Sequence, residues 1–120
     1  MYELNELGAE PKQKIEKILD DGSTVTLEFE YKENQLGWFF GVKWGDYDYK
    51  NIRLTTSYNI LRAYRNYLPF GLRCDTQDDE EPMFLTDFAT KYASVYLLPR
   101  EDVQTIEGNY YVKTPTELQS

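Results

Sequence analysis

The 120-residue chain contains no histidine. That removes Ser-His-Asp and Cys-His catalysis and most zinc sites, which need imidazole as base or ligand. It contains one cysteine, Cys74, so no disulfide can form within the chain, which suits a reducing compartment. Long apolar runs are also missing. The longest, Trp38-Phe-Phe-Gly-Val42, falls far short of the roughly 20 residues that cross a bilayer as a helix. The opening Met1-Tyr-Glu-Leu-Asn-Glu6 is acidic and has no apolar core, unlike a secretory signal. No Asn-x-Ser/Thr acceptor occurs. The expectation is a soluble cytosolic product. Cations are scarce: 13 Lys and Arg stand against 21 Asp and Glu, a formal charge of −8. Such a chain reads a phosphate backbone poorly unless its positive charge is clustered, which argues against a nucleic-acid partner. What remains has the length of one domain, enough to bury about two thirds of its unfolded surface without a disulfide or a metal.

What is present is mostly period-two patterning. Val25, Leu27, Phe29 and Tyr31 alternate with Thr24, Thr26, Glu28, Glu30 and Lys32, the mark of a half-buried antiparallel strand. Asp21-Gly22 before it is a turn dipeptide, so residues 11–19 form its partner strand. After a turn at Glu33-Asn-Gln35, residues 36–44 place Trp38, Phe40, Val42 and Trp44 on one face. Residues 47–55 continue as a strand whose phase slips between Tyr49 and Ile52, which predicts a bulge near Lys50-Asn51. The period then changes. Ile60, Leu61, Tyr64 and Leu68 fall on one helical face behind Thr56 and Ser57 as caps, and Pro69 ends the run; this predicts one short α-helix at about residues 57–67. Phe70, Leu72 and Cys74 alternate again, and Leu85–Phe88 can form a single helical turn. Residues 91–98 are apolar on both faces, as in a strand that is central or covered on both sides. Tyr110-Tyr-Val112 could add an edge strand, or belong to a peripheral or partner-bound tail. The sum is a mainly β protein, a small antiparallel barrel or sandwich of six to seven strands with one short helix. Residues 1–10 read as an N-terminal segment, 11–103 as a single β domain and 104–120 as a tail or arm.

Charge is segregated along the chain. Residues 49–74 hold Lys50, Arg53, Arg62, Arg65 and Arg73 and no acid; residues 75–81 hold Asp75, Asp78, Asp79, Glu80 and Glu81 and no base. The simple account is a solvated acidic loop. The sharper one is a head-to-tail contact in which this loop meets the arginines of a neighbouring copy, the arrangement that closes rings. The chain also has eleven tyrosines, more than a core of this size can bury with satisfied hydroxyls, so some should lie at subunit contacts. The interface candidates are Arg62, Arg65, Arg73, Asp78, Asp79, Glu80, Glu81, Tyr110 and Tyr111.

Catalytic and cofactor signatures are weak. Asp46-Tyr-Asp48 starts like a calcium loop, but an EF-hand needs Gly at position 51 and Glu at 57, where this chain has Asn51 and Ser57. Gly37, Gly41 and Gly45 lie along a strand, not in a strand-to-helix phosphate loop. Cys74 alternates with apolar neighbours and reads as an inert core thiol. No catalytic residue, metal or cofactor is expected.

Several segments recur in a familiar order: Ile15-x-x-Ile-Leu-Asp-Asp-Gly22, Val25-Thr-Leu-Glu-Phe-Glu-Tyr31, Gly37-Trp-Phe-Phe40 and Ile52-Arg-Leu54. Asn59-Ile-Leu61, Tyr67-Leu-Pro-Phe-Gly-Leu72, Asp78-Asp-Glu-Glu-Pro82, Asp87-Phe88 and Val95-Tyr-Leu-Leu98 follow. Over roughly residues 11–102 the chain resembles the baseplate plug family of contractile-tailed bacteriophages; the stretch after Asp102 does not match. The resemblance implies a non-enzymatic structural protein of the virion. It would be made in the host bacterial cytoplasm and sit in the tail baseplate. There it would seal or join tube and hub, beside other tail proteins and in three-fold or six-fold symmetry. The alternatives are a small cytosolic β domain that binds a protein or carbohydrate, and a carboxylate hydrolase.

Overall fold

The computed structural model describes residues 1–110, with the last four given by their backbone alone. Seven strands form two antiparallel sheets. Strands β2 (Lys12–Ile18), β3 (Thr24–Lys32), β4 (Gly37–Trp44) and β5 (Tyr47–Arg53) make a four-stranded meander in sequence order. Strands β1 (Tyr2–Glu3), β6 (Phe70–Thr76) and β7 (Ala93–Pro99) make a three-stranded sheet in the order β1-β7-β6. One helix, α1 (Arg100–Tyr110), follows β7 and packs on β6 and β7. The sheets do not close on each other; the fold is a sandwich.

The alternation read from the sequence is what builds the core. Val25, Leu27 and Phe29 of β3 and Trp38, Phe40 and Val42 of β4 are buried, and so are Phe70, Leu72 and Cys74 of β6 and Ala93, Val95 and Leu97 of β7. All belong to one hydrophobic cluster. The outer face of the four-stranded sheet is charged, with Lys12 opposite Glu30 and Lys14 opposite Glu28 across β2 and β3. The β2–β3 hairpin closes at Gly22, whose φ of 86° favours a residue without a Cβ. The expected bulge is present: Lys50 and Asn51 together face Gly41, because Phe40 pairs with Ile52 and Val42 with Tyr49. Asn51 takes the left-handed conformation there, φ 57°, which Asn tolerates better than most residues.

Two expectations need correcting. Residues 57–67 do not form an α-helix; they hold a single 3-10 turn, Arg62–Tyr64. The apolar positions were read correctly, since Leu61 and Leu68 are buried, but the backbone donors are spent elsewhere. Ser57 pairs with Cys74 across an isolated bridge, and Ile60 N–H donates to the Leu72 carbonyl at 2.6 Å. The segment therefore lies along the free edge of β6. Asn59 fixes it there: its buried Oδ1 accepts from the N–H groups of both Leu61 and Leu72, each at 3.1 Å. The Ser57 hydroxyl accepts from Asn59 N–H at 3.2 Å, closing a local turn instead of capping a helix. The second correction concerns Tyr110, which ends α1 and is not part of an edge strand; Tyr111 and Val112 lie outside the described residues. Helix α1 opens with Glu101 and Asp102 in its first turn, where the helix dipole favours acids. It docks through Val103, which packs over Gly71: a Cβ on Gly71 would stand 2.9 Å from Val103 Cγ2 and 2.6 Å from Asn59 Oδ1. The amino-terminal segment joins the same structure, as Tyr2 and Glu3 pair with Leu97 and Tyr96 and Leu4 and Leu7 are buried.

Candidate functional site

The two ends of the strand pair β4–β5 differ. About 20 Å of strand separates Trp38 from Trp44. At the Trp44 end, tyrosines stack in a continuous patch. Tyr47 lies 6.2 Å from Trp44 with nearly parallel rings, 5.9 Å from Tyr49 and 6.1 Å from Tyr67. Tyr49 stacks on Tyr64 at 4.0 Å. Offset aromatic packing of this kind holds large rings in place at a surface. Tyr67 remains 58% exposed and Tyr47 37%. Neighbouring rings and partial desolvation, desolvation first, raise the Tyr49 hydroxyl above its ordinary pKa. Arg62 and Arg65 flank Tyr64 in this same turn, and the Arg65 guanidinium donates to the Arg62 carbonyl at 2.9 Å. This is the basic, tyrosine-rich pole.

At the Trp38 end lies the acidic loop. It is held in shape by side chains around it. Thr76 Oγ1 donates to the Glu80 carbonyl at 2.7 Å and Thr56 Oγ1 to the Asp79 carbonyl at 3.3 Å. The Tyr92 hydroxyl donates to the Asp78 carboxylate. That bond lowers the Asp78 pKa and pushes the Tyr92 hydroxyl up to about 12. Asp78 therefore favours the folded loop above its ordinary carboxylate range, and the benefit fades as pH falls through its lowered pKa. Tyr92 favours it below its ordinary phenol range, and that benefit fades as pH rises toward 12.

The two charge blocks meet partly within the chain. Arg53 Nε donates to Glu81 Oε2 at 3.1 Å, and Arg73 Nε donates to both Asp75 oxygens at 3.0 and 3.2 Å. Arg73 also lies 4.8 Å from the Tyr58 ring centroid. Of the residues singled out from the sequence, Arg62 and Arg65 thus share the basic pole. Asp78, Asp79, Glu80 and Glu81 share the acidic pole, and Arg73 lies apart on β6, engaged by Asp75. Tyr110 is the last described residue of α1.

One surface residue was missed. Phe84 is 62% exposed, yet its backbone is held on every side. Its N–H donates to Asp87 Oδ2 at 2.9 Å. Its carbonyl accepts from Trp38 Nε1 at 3.1 Å, and the preceding Met83 carbonyl accepts from the Tyr31 hydroxyl at 2.7 Å. The sequence held a faint signal in Phe84-Leu-Thr-Asp87, where a carboxylate three residues on can cap a turn.

Among the described residues, no group of three or more Cys, Asp and Glu side chains is placed to hold a metal ion. Cys74 is buried, and burial, with the charge of Asp75 second, pushes its thiol up to about 12; a thiol is a nucleophile only when ionised. Asp48 lies between Lys43 at 4.0 Å and Lys50 at 3.7 Å, which suits ion pairs and opposes a bound cation. The shallow depression over Gly41 alternates lysines with glutamates and aspartate. No helix among the described residues is long and apolar enough to cross a membrane.

A protein-family model described as cyanophage baseplate Pam3 plug gp18 matches residues 1–99. The match ends with β7, so α1 and the residues after it lie outside it. No curated protein matches the chain.

Proposed function

The chain belongs to the cyanophage baseplate plug family and is thus a structural baseplate component, and from that premise we propose that it joins or seals the tail tube and hub through contacts between its own copies and with neighbouring tail proteins. The observation that carries this reading is the polarity of the surface. Arg62 and Arg65 stand beside the tyrosine patch at one end of β4–β5, and Asp78, Asp79 and Glu80 stand on an ordered loop at the other. Opposite charges on different ends of one subunit suit heterologous contacts, which close into rings when the rotation allows; three-fold or six-fold closure fits a tail axis. Polar, charged contacts of moderate area also hold an assembly that must later come apart. Arg53 and Glu81 pair with each other within the subunit, while Arg62 and Arg65 lie in the turn that carries Tyr64 of the tyrosine patch.

The double replacement Arg62→Glu, Arg65→Glu tests this. Assembly measured by native mass spectrometry should weaken, and the wild-type assembly should itself weaken as salt rises. Assembly that is the same for both proteins at low and high salt would reject the charged contact.

A further inference from the structure

We infer that Phe84 is the apolar anchor of this contact and that it docks on the tyrosine patch, around Tyr47 and Tyr67, of a second copy of the chain. The inference rests on the assembly reading above and names the surfaces that meet.

Phe84 has the properties of an interface anchor. It is a large ring, 62% exposed, on a rigid support. Three hydrogen bonds, from Trp38 Nε1, from the Tyr31 hydroxyl through Met83, and to Asp87 Oδ2, fix the backbone that carries it. A rigid aromatic loses little freedom on docking, so more of its burial appears as affinity. The core nearby holds Trp38 against Phe88 at 4.9 Å with Leu85 packed on it, while the Phe84 side chain stays outside that cluster.

Charge decides the occupant. Phe84 projects next to the acidic loop, three residues beyond Glu81, so its partner must offer an apolar surface rimmed by basic groups. The opposite pole of this same molecule is such a surface. Tyr67 is 58% exposed and Tyr47 37% even within their stack, and Arg62 and Arg65 lie in the adjoining turn. Phe84 is held beside Trp38 and Tyr47 stands beside Trp44, and about 20 Å of strand lies between those two tryptophans. The two surfaces meet between copies, head to tail. Tyrosine is favoured at such contacts because it combines a broad apolar face with a hydroxyl that can stay wet.

The test is sedimentation equilibrium of the full chain over a range of concentration and salt, for wild type, Phe84→Ala, Tyr67→Ala, the Phe84/Tyr67 double variant and the Arg62/Arg65 double variant. Phe84→Ala should weaken self-association about tenfold or more. Tyr67→Ala should do likewise, and the Phe84/Tyr67 double variant should lose little beyond either single change, because both remove one contact. Circular dichroism of Phe84→Ala should match wild type, since the backbone bonds that hold residue 84 do not involve its ring. Wild-type chain that stays monomeric overturns the inference, as does a Phe84→Ala protein that associates as wild type does. If the arginine variant dissociates while Phe84→Ala does not, the charged contact stands and the anchor falls. If Phe84→Ala dissociates while the arginine variant does not, the anchor stands and the charge pairing falls.

Discussion

Replacing Trp38 with alanine should cost about 3–5 kcal/mol of stability, the range for removing a fully buried large aromatic. Trp38 has no exposed surface. Its ring lies edge-on to Phe88 at 4.9 Å and to Tyr31 at 5.5 Å. Removing it leaves a cavity where the four-stranded sheet meets the 83–92 segment. It also removes the indole N–H that serves the Phe84 carbonyl, so the loss combines missing packing with a loosened loop. Small domains have about 5–15 kcal/mol of total stability, so the variant would sit near the limit of folding. Trp38→Phe should be milder, about 1–2 kcal/mol, because it keeps most of the packing and loses the donor. Urea unfolding followed by circular dichroism separates the two. A Trp38→Ala protein within about 1 kcal/mol of wild type would mean that this ring does not anchor the sandwich.

Asn59→Ala should cost about 2–4 kcal/mol through a different mechanism. The side chain contributes little apolar area, but its Oδ1 serves two buried backbone donors at once, Leu61 N–H and Leu72 N–H. Alanine leaves both without that acceptor, and an unsatisfied buried donor costs about 1–3 kcal/mol. The segment that covers the β6 edge would then detach more readily, taking the Tyr64 and Tyr67 turn with it. Amide hydrogen exchange gives a specific readout: Leu61 and Leu72 should exchange much faster while Leu27 and Phe29 on β3 change less. Uniform acceleration across both sheets would instead indicate global destabilisation, and no change would contradict the role given to Asn59.

These two residues show what could be read from the chain alone. The strands were legible because their burial is local in origin: alternate residues of β3 and β4 face the same core, and the phase slip at Lys50-Asn51 marked a real bulge. The 57–68 segment was misread because helical spacing of Leu61 and Leu68 describes which residues point inward, not where their N–H groups go. That is decided by β6, which follows in the chain and takes Ile60 and Asn59 as partners. Helix α1 was missed for a related reason. Its sequence is mostly polar, and Val103 becomes a core residue only because Gly71, 32 positions earlier, leaves room for it. Of the candidate surface, the charge blocks were visible in the sequence, but their partial cancellation through Arg53–Glu81 and Arg73–Asp75 was not. The excess of tyrosine did not locate the stacked patch, because the patch joins β5 to a turn some fifteen residues later. Phe84 carried no periodic signal at all. Its fixed position comes from Trp38 and Tyr31, residues distant in sequence that hold the backbone of the 83–84 segment.

The central claim is that this chain works as a polar building block within the baseplate. Density for an intact tail at side-chain detail tests it most directly. The account predicts copies of the chain around the tail axis at the baseplate, with the Phe84 and acidic end of one copy against the Tyr47, Tyr67 and Arg62 end of the next. Tails that assemble fully and contain no density for the chain, or copies that touch through other faces while these two ends stay in solvent, would contradict it.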